Sequence, residues 1–165
     1  MLQYYTILPR YYFRLPNRAS DLLYYICYLA RQNTKKIAEQ GYYTISTRAI
    51  QHRLFLPSEV NNINPQRTIK QPIKDAINEL MMEHSNRYGT TELRLELIYN
   101  EKGNITDFLE NGYLKVRITG DFAEPFMAIS RNTANRIEAA QKRQTSIVDR
   151  ALVKNMTKKL QATGC

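Results

Sequence analysis

The stretch TIKQPIKDAINELMME, residues 68–83, is the part of the sequence from which we predict the fold. Thr68 and Gln71 have the spacing of a capping box, in which the threonine oxygen accepts from the Gln71 amide and the glutamine side chain reaches back to the cap. Pro72 then falls in the first helical turn, where a missing amide removes at most one early hydrogen bond. Apolar residues beyond it recur on one helical face, namely Ile73, Ala76, Ile77, Leu80 and Met81.

The opposite face of this predicted helix is polar and basic near its N-terminal end. It carries Arg67, Lys70, Gln71, Lys74 and Asn78. Cationic and amide side chains at the start of a helix are the groups that a recognition helix presents to bases and phosphates. The same pattern is also typical of the solvated face of an ordinary core helix. This helix alone leaves both interpretations open.

The flanking elements predict an α+β fold, a winged helix-turn-helix with a small three-stranded antiparallel sheet and additional C-terminal helices. The predicted order is a helix, a short strand, two helices, and two alternating strands joined by a loop. Ser46 is the expected cap of the second helix, and Gly41 the expected left-handed end of the first. The predicted bounds outside residues 68–83 are about Ser20–Gln40, Tyr42–Ile45, Thr47–Leu54, Glu92–Tyr99 and Tyr113–Ile118.

Three segments are expected along the 165 residues. Residues 1–17 are an aromatic and basic arm or edge strand, which could stack on single-stranded nucleic acid or pack its rings on the domain. Residues 18–120 are the winged-helix domain. Residues 121–165 are a basic helical tail, with one helix ending near Arg143 and another beginning near Thr145. The tail could contact DNA, dimerise, dock on another protein, or simply pack as a terminal helix.

The formal charge of +9 favours a polyanionic partner. The charge is unevenly distributed along the chain. Residues 1–60 and 127–165 are basic, whereas residues 90–126 hold four basic and seven acidic side chains. This acidic balance counts against a wing that grips phosphate.

Two regions beside the recognition helix contain further candidate contacts. Arg48 and Gln51 should face outward from the first helix of the pair, which lies across the DNA backbone in a helix-turn-helix. The connection Leu56–Arg67 is about ten residues long, compared with the usual three or four. Lys102 belongs to the wing predicted at Asn100–Gly112, where Phe108 and Leu109 indicate a partly packed tip. The predicted DNA-contacting residues are Arg48, Gln51, Arg67, Thr68, Lys70, Gln71, Lys74, Asn78 and Lys102.

The sequence offers no pattern for catalysis, a cofactor or a metal site. It lacks a Gly-rich phosphate loop, a Cys/His pair with metal spacing and a Gly-flanked serine. We therefore expect a binding protein and not an enzyme. Glu92 and Glu96 share a strand face with Arg94 between them. We interpret them as part of a cross-strand charge ladder with Lys115 and Arg117, and not as metal ligands.

The cysteines and the apolar runs predict a cytoplasmic protein. Cys27 is at helical spacing with Leu23 and Ala30, which predicts a buried, inert thiol. Cys165 is the last residue of the sequence. Two such cysteines do not make a disulfide framework. The run Leu22–Ala30 is far shorter than the roughly 20 residues of a membrane helix. No signal peptide is expected either.

A group of short runs between about residues 20 and 119 resembles the winged-helix module of bacterial plasmid replication initiators and related phage replisome organisers. The runs are Tyr43-Thr44-Ile45-Ser46, Ala49-Ile50, Arg53-Leu54, Leu56, Arg67-Thr68-Ile69-Lys70, Ile73, Ala76-Ile77 and Glu79-Leu80.

The resemblance implies sequence-specific binding of double-stranded DNA in replication initiation or transcriptional control. It also implies binding at repeated sites, often as a homodimer or with a replication-protein partner, and base contacts from Arg67, Lys70, Gln71 and Lys74. Membrane association is not expected. The alternative is a protein-interaction winged-helix subunit of a larger nucleic-acid-associated assembly. DNA or RNA preference, target sequence and oligomeric state stay open at this point.

Overall fold

A computed structural model describes residues 8–88, 92–128, 131–132 and 134–143. Residues 1–127 form one compact unit and residues 128–165 a second. The first unit is α+β, with a three-stranded antiparallel sheet and several helices, as the sequence predicts. Its helices include α1 Asn17–Gln32, α2 Thr34–Gln40, α3 Thr47–Arg53, α4 Gln71–Tyr88 and α5 Ile105–Asn111, and its strands are β1 Tyr42–Ser46, β2 Leu93–Ile98 and β3 Tyr113–Ile118. Residues 120–127 are helical as well, and Ala123 and Phe126 among them are buried in the core.

The sheet has the order β1-β3-β2, so that β3 is the central strand. Alternating residues of each strand point to the helices, and the other residues point away from them. Tyr43 is buried on the inner face, and its hydroxyl donates to the carbonyl of Ile26 in α1 at 2.6 Å. The remaining fully buried residues of this face are Ile45, Leu93, Leu114, Val116 and Ile118. Together with the apolar stripes of α1 and α4, they form the core.

The first predicted helix is two helices. Pro16 precedes α1, which begins three residues before the predicted cap, and the Ser20 hydroxyl donates to the Asn17 carbonyl instead of capping. Asn33 separates α1 from α2, and its side-chain amide donates to the Leu29 carbonyl at 2.9 Å. Gly41 ends α2 with φ of +75°, which confirms the predicted left-handed cap.

The start of α4 differs from the predicted capping box. The helix extends back through a π-helical turn, Gln66–Lys70, and the side chain of Asn64 accepts from the Arg67 amide at 3.2 Å. The Gln71 amide donates to the Gln66 carbonyl five residues back. Pro72 has no amide to donate, and its ring would crowd the carbonyl four residues before it. The wider turn accommodates that proline. Because the helical turn already begins at Gln66, the prediction of Thr68 as the cap is wrong.

The predicted wing between β2 and β3 is instead a helix packed into the core. Asn104 caps α5 by accepting from the Asp107 amide at 2.8 Å. Phe108 and Leu109 on this helix are fully buried. The Thr47 hydroxyl at the start of α3 donates to the Phe108 carbonyl and ties the two helices together. The connection is therefore more tightly packed than the sequence predicts.

The described part of the N-terminal segment is helical at Arg10–Arg14, which form a 3-10 helix instead of the expected extended structure. The Tyr11 ring is 1% exposed and packs edge-on against His84, 5.8 Å between centroids. The buried Tyr11 ring packs the 3-10 helix Arg10–Arg14 against α4. Phe13 beside it is 86% exposed.

The second unit is described only in part. Residues 134–143 are helical and exposed, as predicted for the first tail helix. Lys142 pairs with Glu138 one turn earlier at 2.7 Å. The second predicted tail helix, beginning near Thr145, lies outside the described residues.

Candidate nucleic-acid interface

The start of α4 forms an open depression of about 420 Å³. We call its lining the helix-start surface. Its backbone comes from Asn64, the π-helical turn and the first turn of α4. The lining residues are Asn64, Gln66, Arg67, Lys70, Gln71 and Lys74. The structure thus brings together four of the predicted contacts, namely Arg67, Lys70, Gln71 and Lys74.

An aromatic ring supports both lysines of this surface. The Lys70 Nζ lies 4.5 Å from the centroid of the Tyr99 ring, and the Lys74 Nζ lies 5.1 Å from the same centroid. Tyr99 directly follows β2 and packs edge-on against Phe108, 5.3 Å between centroids. The two ammonium groups are thereby positioned by a side chain that is itself packed on α5.

The cations of the helix-start surface are not neutralised by carboxylates. Within residues 8–88 and 92–128, no ion pair involves Arg67, Lys70 or Lys74. Arg67 is exposed, and the two lysines are half-buried. Three uncompensated positive charges around one depression create a local positive potential that favours an anionic ligand.

Arg48 is differently placed. Its Nη1 lies 2.8 Å from Glu59 Oε1, and its Nη2 lies 3.8 Å from Glu110 Oε1. A backbone hydrogen bond at Glu59, followed by the hydrogen bond from Arg48, lowers the pKa of the Glu59 carboxyl. The Arg48 guanidinium therefore pairs within the protein, where it joins α3 to the connection that follows this helix. The structure does not place Arg48 on the helix-start surface.

Gln51 is buried, with 2% of its surface exposed. Its Nε2 donates to the Pro57 carbonyl at 2.6 Å. The prediction that Gln51 faces outward to contact phosphate is therefore wrong. The connection folds back over α3 and covers this side chain, an effect of the chain beyond the helix that helical periodicity does not predict.

The other predicted contacts are exposed but lie in different settings. The Thr68 hydroxyl donates to the Asn64 carbonyl at 2.9 Å and stabilises the helix start. The Gln71 side chain donates to Asp75 Oδ1 at 2.8 Å instead of reaching back to a cap. Asn78 is almost two turns further along α4. Lys102 occupies the turn before α5, outside the lining of the depression.

Sequence reasoning missed Asn64, Gln66 and Tyr99. The pair Asn64-Pro65 carries a recognisable signal, because Asn favours the cap of a helix and Pro its first position. Tyr99 ends an alternating apolar strand, and that alternation predicts only a position on the core face. No local pattern indicates that its ring also contacts Lys70 and Lys74.

The described residues hold no group of three or more His, Cys, Asp and Glu side chains arranged to bind a metal ion. Every helix in the same ranges is too short or too polar to cross a lipid bilayer. Cys27 is a buried free thiol, as predicted, and burial raises its pKa to about 12. Cys165 lies outside the described residues.

Comparison of the chain with protein-family models, curated protein sequences and solved structures gave no match.

Proposed function

We propose that the protein binds double-stranded DNA in a sequence-specific manner through the helix-start surface. The observation that carries this proposal is the grouping of Arg67, Lys70 and Lys74 around one open depression, with no ion-pair partner among the described residues. Duplex DNA supplies the phosphates that would neutralise these charges. The role is that of a binding protein and not an enzyme, in plasmid or phage replication initiation or in transcriptional control.

The order of the elements supports a winged-helix interpretation of the fold. A short strand precedes α3 and α4, and an antiparallel strand pair follows them. In this interpretation α3 and α4 form the helix pair, and α4 enters the major groove. Since α5 is packed into the core, most of the proposed DNA contacts lie at the start of α4. Lys102, in the turn before α5, is a peripheral DNA contact.

The exposed positions suit a division between base and phosphate contacts. Arg67 and Gln71 are four residues apart, and both are exposed. An arginine can bind guanine and a glutamine can bind adenine through paired hydrogen bonds. Lys70 and Lys74 are also four residues apart, and Tyr99 positions both of them. We assign base readout to the first pair and phosphate contacts to the second.

The alternative is a protein-interaction subunit of a larger nucleic-acid-associated assembly. The connection between α3 and α4 favours it, because Phe55 is 84%, Val60 69% and Ile63 102% exposed. Neighbouring exposed apolar side chains are typical of protein contact sites. In either role the proposal places the protein in the cytoplasm, with a second copy or a replication protein as a possible further partner.

The test is fluorescence anisotropy with a random-sequence duplex pool and with duplexes enriched from that pool by the protein. We expect log K to fall linearly with log salt, by about 0.9 for each phosphate neutralised. The variant Arg67→Ala plus Lys70→Ala should bind more weakly, with a shallower slope and reduced preference for the enriched duplexes.

A matched control is Arg18→Ala plus Lys36→Ala, which removes two exposed positive charges from α1 and α2. It has the same net charge as the test variant and should bind enriched duplexes almost like the wild type. Equal affinity and slope in wild type and test variant would refute the assignment of the helix-start surface. Absence of duplex binding at low salt would favour the protein-interaction alternative.

A further inference from the structure

The outward-facing side of the sheet carries a second group of cations, and none of them forms an ion pair among the described residues. Strand alternation directs a set of polar and aromatic side chains away from the core, and we call this set the outer sheet face. Its members are Tyr42, Arg94, Glu96, Tyr113, Lys115 and Arg117. This surface belongs to β1, β2 and β3, whereas the helix-start surface belongs to α4 and the turn before it.

The register places one like-charged pair and one oppositely charged pair directly opposite each other. Arg94 of β2 pairs with Arg117 of β3, and Glu96 pairs with Lys115. Like charges at opposed positions destabilise a sheet. The predicted charge ladder is not formed, because no ion pair within 4.0 Å joins Glu96 to any cation among the described residues. The Lys115 Nζ instead lies 4.4 Å from the centroid of the Tyr42 ring.

Two neighbouring depressions mark this face. Arg94, Glu96, Lys115 and Arg117 line one of about 70 Å³. Tyr42, Thr44, Tyr113 and Lys115 line the other, of about 170 Å³. Lys115 borders both, so a cationic area lies beside an aromatic one.

We propose that the outer sheet face binds single-stranded DNA. Three cations and one carboxylate give the face a positive balance that is complementary to phosphates. The phosphates contact Arg94 and Arg117, and an unpaired base stacks on Tyr113, which is exposed. A charged surface with aromatic rings is the general arrangement for binding a single strand without sequence preference.

A single strand fits this face better than a duplex. Stacking on Tyr113 requires a base that is not already paired and stacked inside a helix. Phosphate pairing and stacking need no ribose hydroxyl, so a DNA strand supplies every group that this face would bind. The proposal is independent of duplex binding, because the two surfaces share no residue.

The test uses the full chain and a fluorescein-labelled oligodeoxythymidylate, with the matching oligouridylate as a second probe and an enriched duplex as a third. The variant Arg94→Ala plus Arg117→Ala should bind oligodeoxythymidylate at least tenfold more weakly. Its salt slope should fall by about 0.7 for each phosphate that the variant no longer neutralises. Duplex binding should be unchanged, whereas Arg67→Ala plus Lys70→Ala should show the opposite pattern.

A second variant tests stacking. Tyr113→Ala should weaken binding of oligodeoxythymidylate by roughly 5- to 150-fold, the range found for loss of one base stack. Tyr113→Phe keeps the ring and should bind like the wild type. The arginine variant should melt no lower than the wild type, because it removes a like-charge pair.

Three results would overturn the proposal. The first is unchanged oligodeoxythymidylate binding in the folded arginine variant. The second is the absence of single-stranded DNA binding by the wild type, or binding of oligouridylate alone. The third is loss of single-stranded binding only on mutation of Arg67 and Lys70, which would assign that activity to the helix-start surface. The first and second results leave the duplex proposal untouched.

Discussion

The Lys70 Nζ lies 4.5 Å from the centroid of the Tyr99 ring, so a cation–π contact joins the π-helical turn before α4 to the residue that follows β2. The ring also lies beneath Lys74, at 5.1 Å. Two ammonium groups on one ring repel each other, and the contact with the aromatic face offsets only part of that repulsion. A phosphate bound between them would relieve it. Tyr99 therefore links the packing of the domain to the charge of the helix-start surface.

Replacing Tyr99 with Leu should lower duplex affinity several-fold. Leucine keeps apolar packing against Phe108 but cannot attract the ammonium groups, so Lys70 and Lys74 lose their fixed positions. The free energy of unfolding should fall by up to about 2 kcal/mol, since each of two partly exposed cation–π contacts is worth about 0.5–1 kcal/mol. Anisotropy and urea denaturation measure the two effects. Tyr99→Phe retains the ring and serves as the control, and equal losses in both variants would contradict the proposed role of the cation–π contact.

The Glu59 carboxyl should contribute to a loss of stability in acid. Its pKa in the folded protein lies below the ordinary value for a glutamate, first because of a backbone hydrogen bond and then because of Arg48. The folded state therefore favours the ionised form. The stabilisation that this carboxylate provides is fully present above the pKa of Glu59 in the unfolded chain. It disappears as the pH falls through the pKa of Glu59 in the folded protein.

Glu59→Gln should accordingly show a shallower decline of melting temperature between neutral and acidic pH than the wild type. Glu110→Gln is the matched control, because Glu110 is exposed and lies 3.8 Å from the same arginine. Superimposable melting profiles for wild type and Glu59→Gln would show that the Arg48–Glu59 pair is not linked to folding.

Restoring an amide at position 72 should tighten the start of α4. In Pro72→Ala the new amide can donate to the Thr68 carbonyl, and the π-helical turn can relax to α-helical geometry. Relaxation rotates Arg67 relative to Lys74, so duplex affinity should fall while thermal stability is retained or increased. Hydrogen exchange measures protection of the new amide. A protected amide at position 72 with unchanged duplex affinity would show that the π-helical turn does not orient the contacts.

The helices and strands that depend on local patterns were predictable from the sequence. The stripe from Ile73 to Met81 identified α4, and the alternation of Leu93, Leu95 and Leu97 identified β2. The Ser46 cap is also local, and the Ala49 amide donates to its hydroxyl at 3.2 Å. In each case the interacting residues are separated by only a few positions, so periodicity and capping chemistry were sufficient.

The start of α4 and the break at Asn33 are local errors, whereas the errors in the candidate surfaces come from contacts outside the pattern of a single helix or strand. Gln51 lies on an outward position of its helix by periodicity, but the returning chain at Pro57 buries it. The charge sum of residues 90–126 is acidic, yet the register of β2 and β3 collects Arg94, Lys115 and Arg117 on one face. A sum along the chain cannot indicate which side chains a sheet will bring together.

The packed helix α5 has a practical consequence for labelling the protein. Hairpin tips are usual sites for attaching a reporter dye or inserting a short tag, because exposed loops tolerate change. Here an insertion within Ile105–Asn111 would displace Phe108 and Leu109, which are fully buried. Gly103 has no space either, since an added Cβ would collide with the Asp107 carboxylate. The exposed pair Glu101 and Lys102 is the position where a label leaves this packing undisturbed.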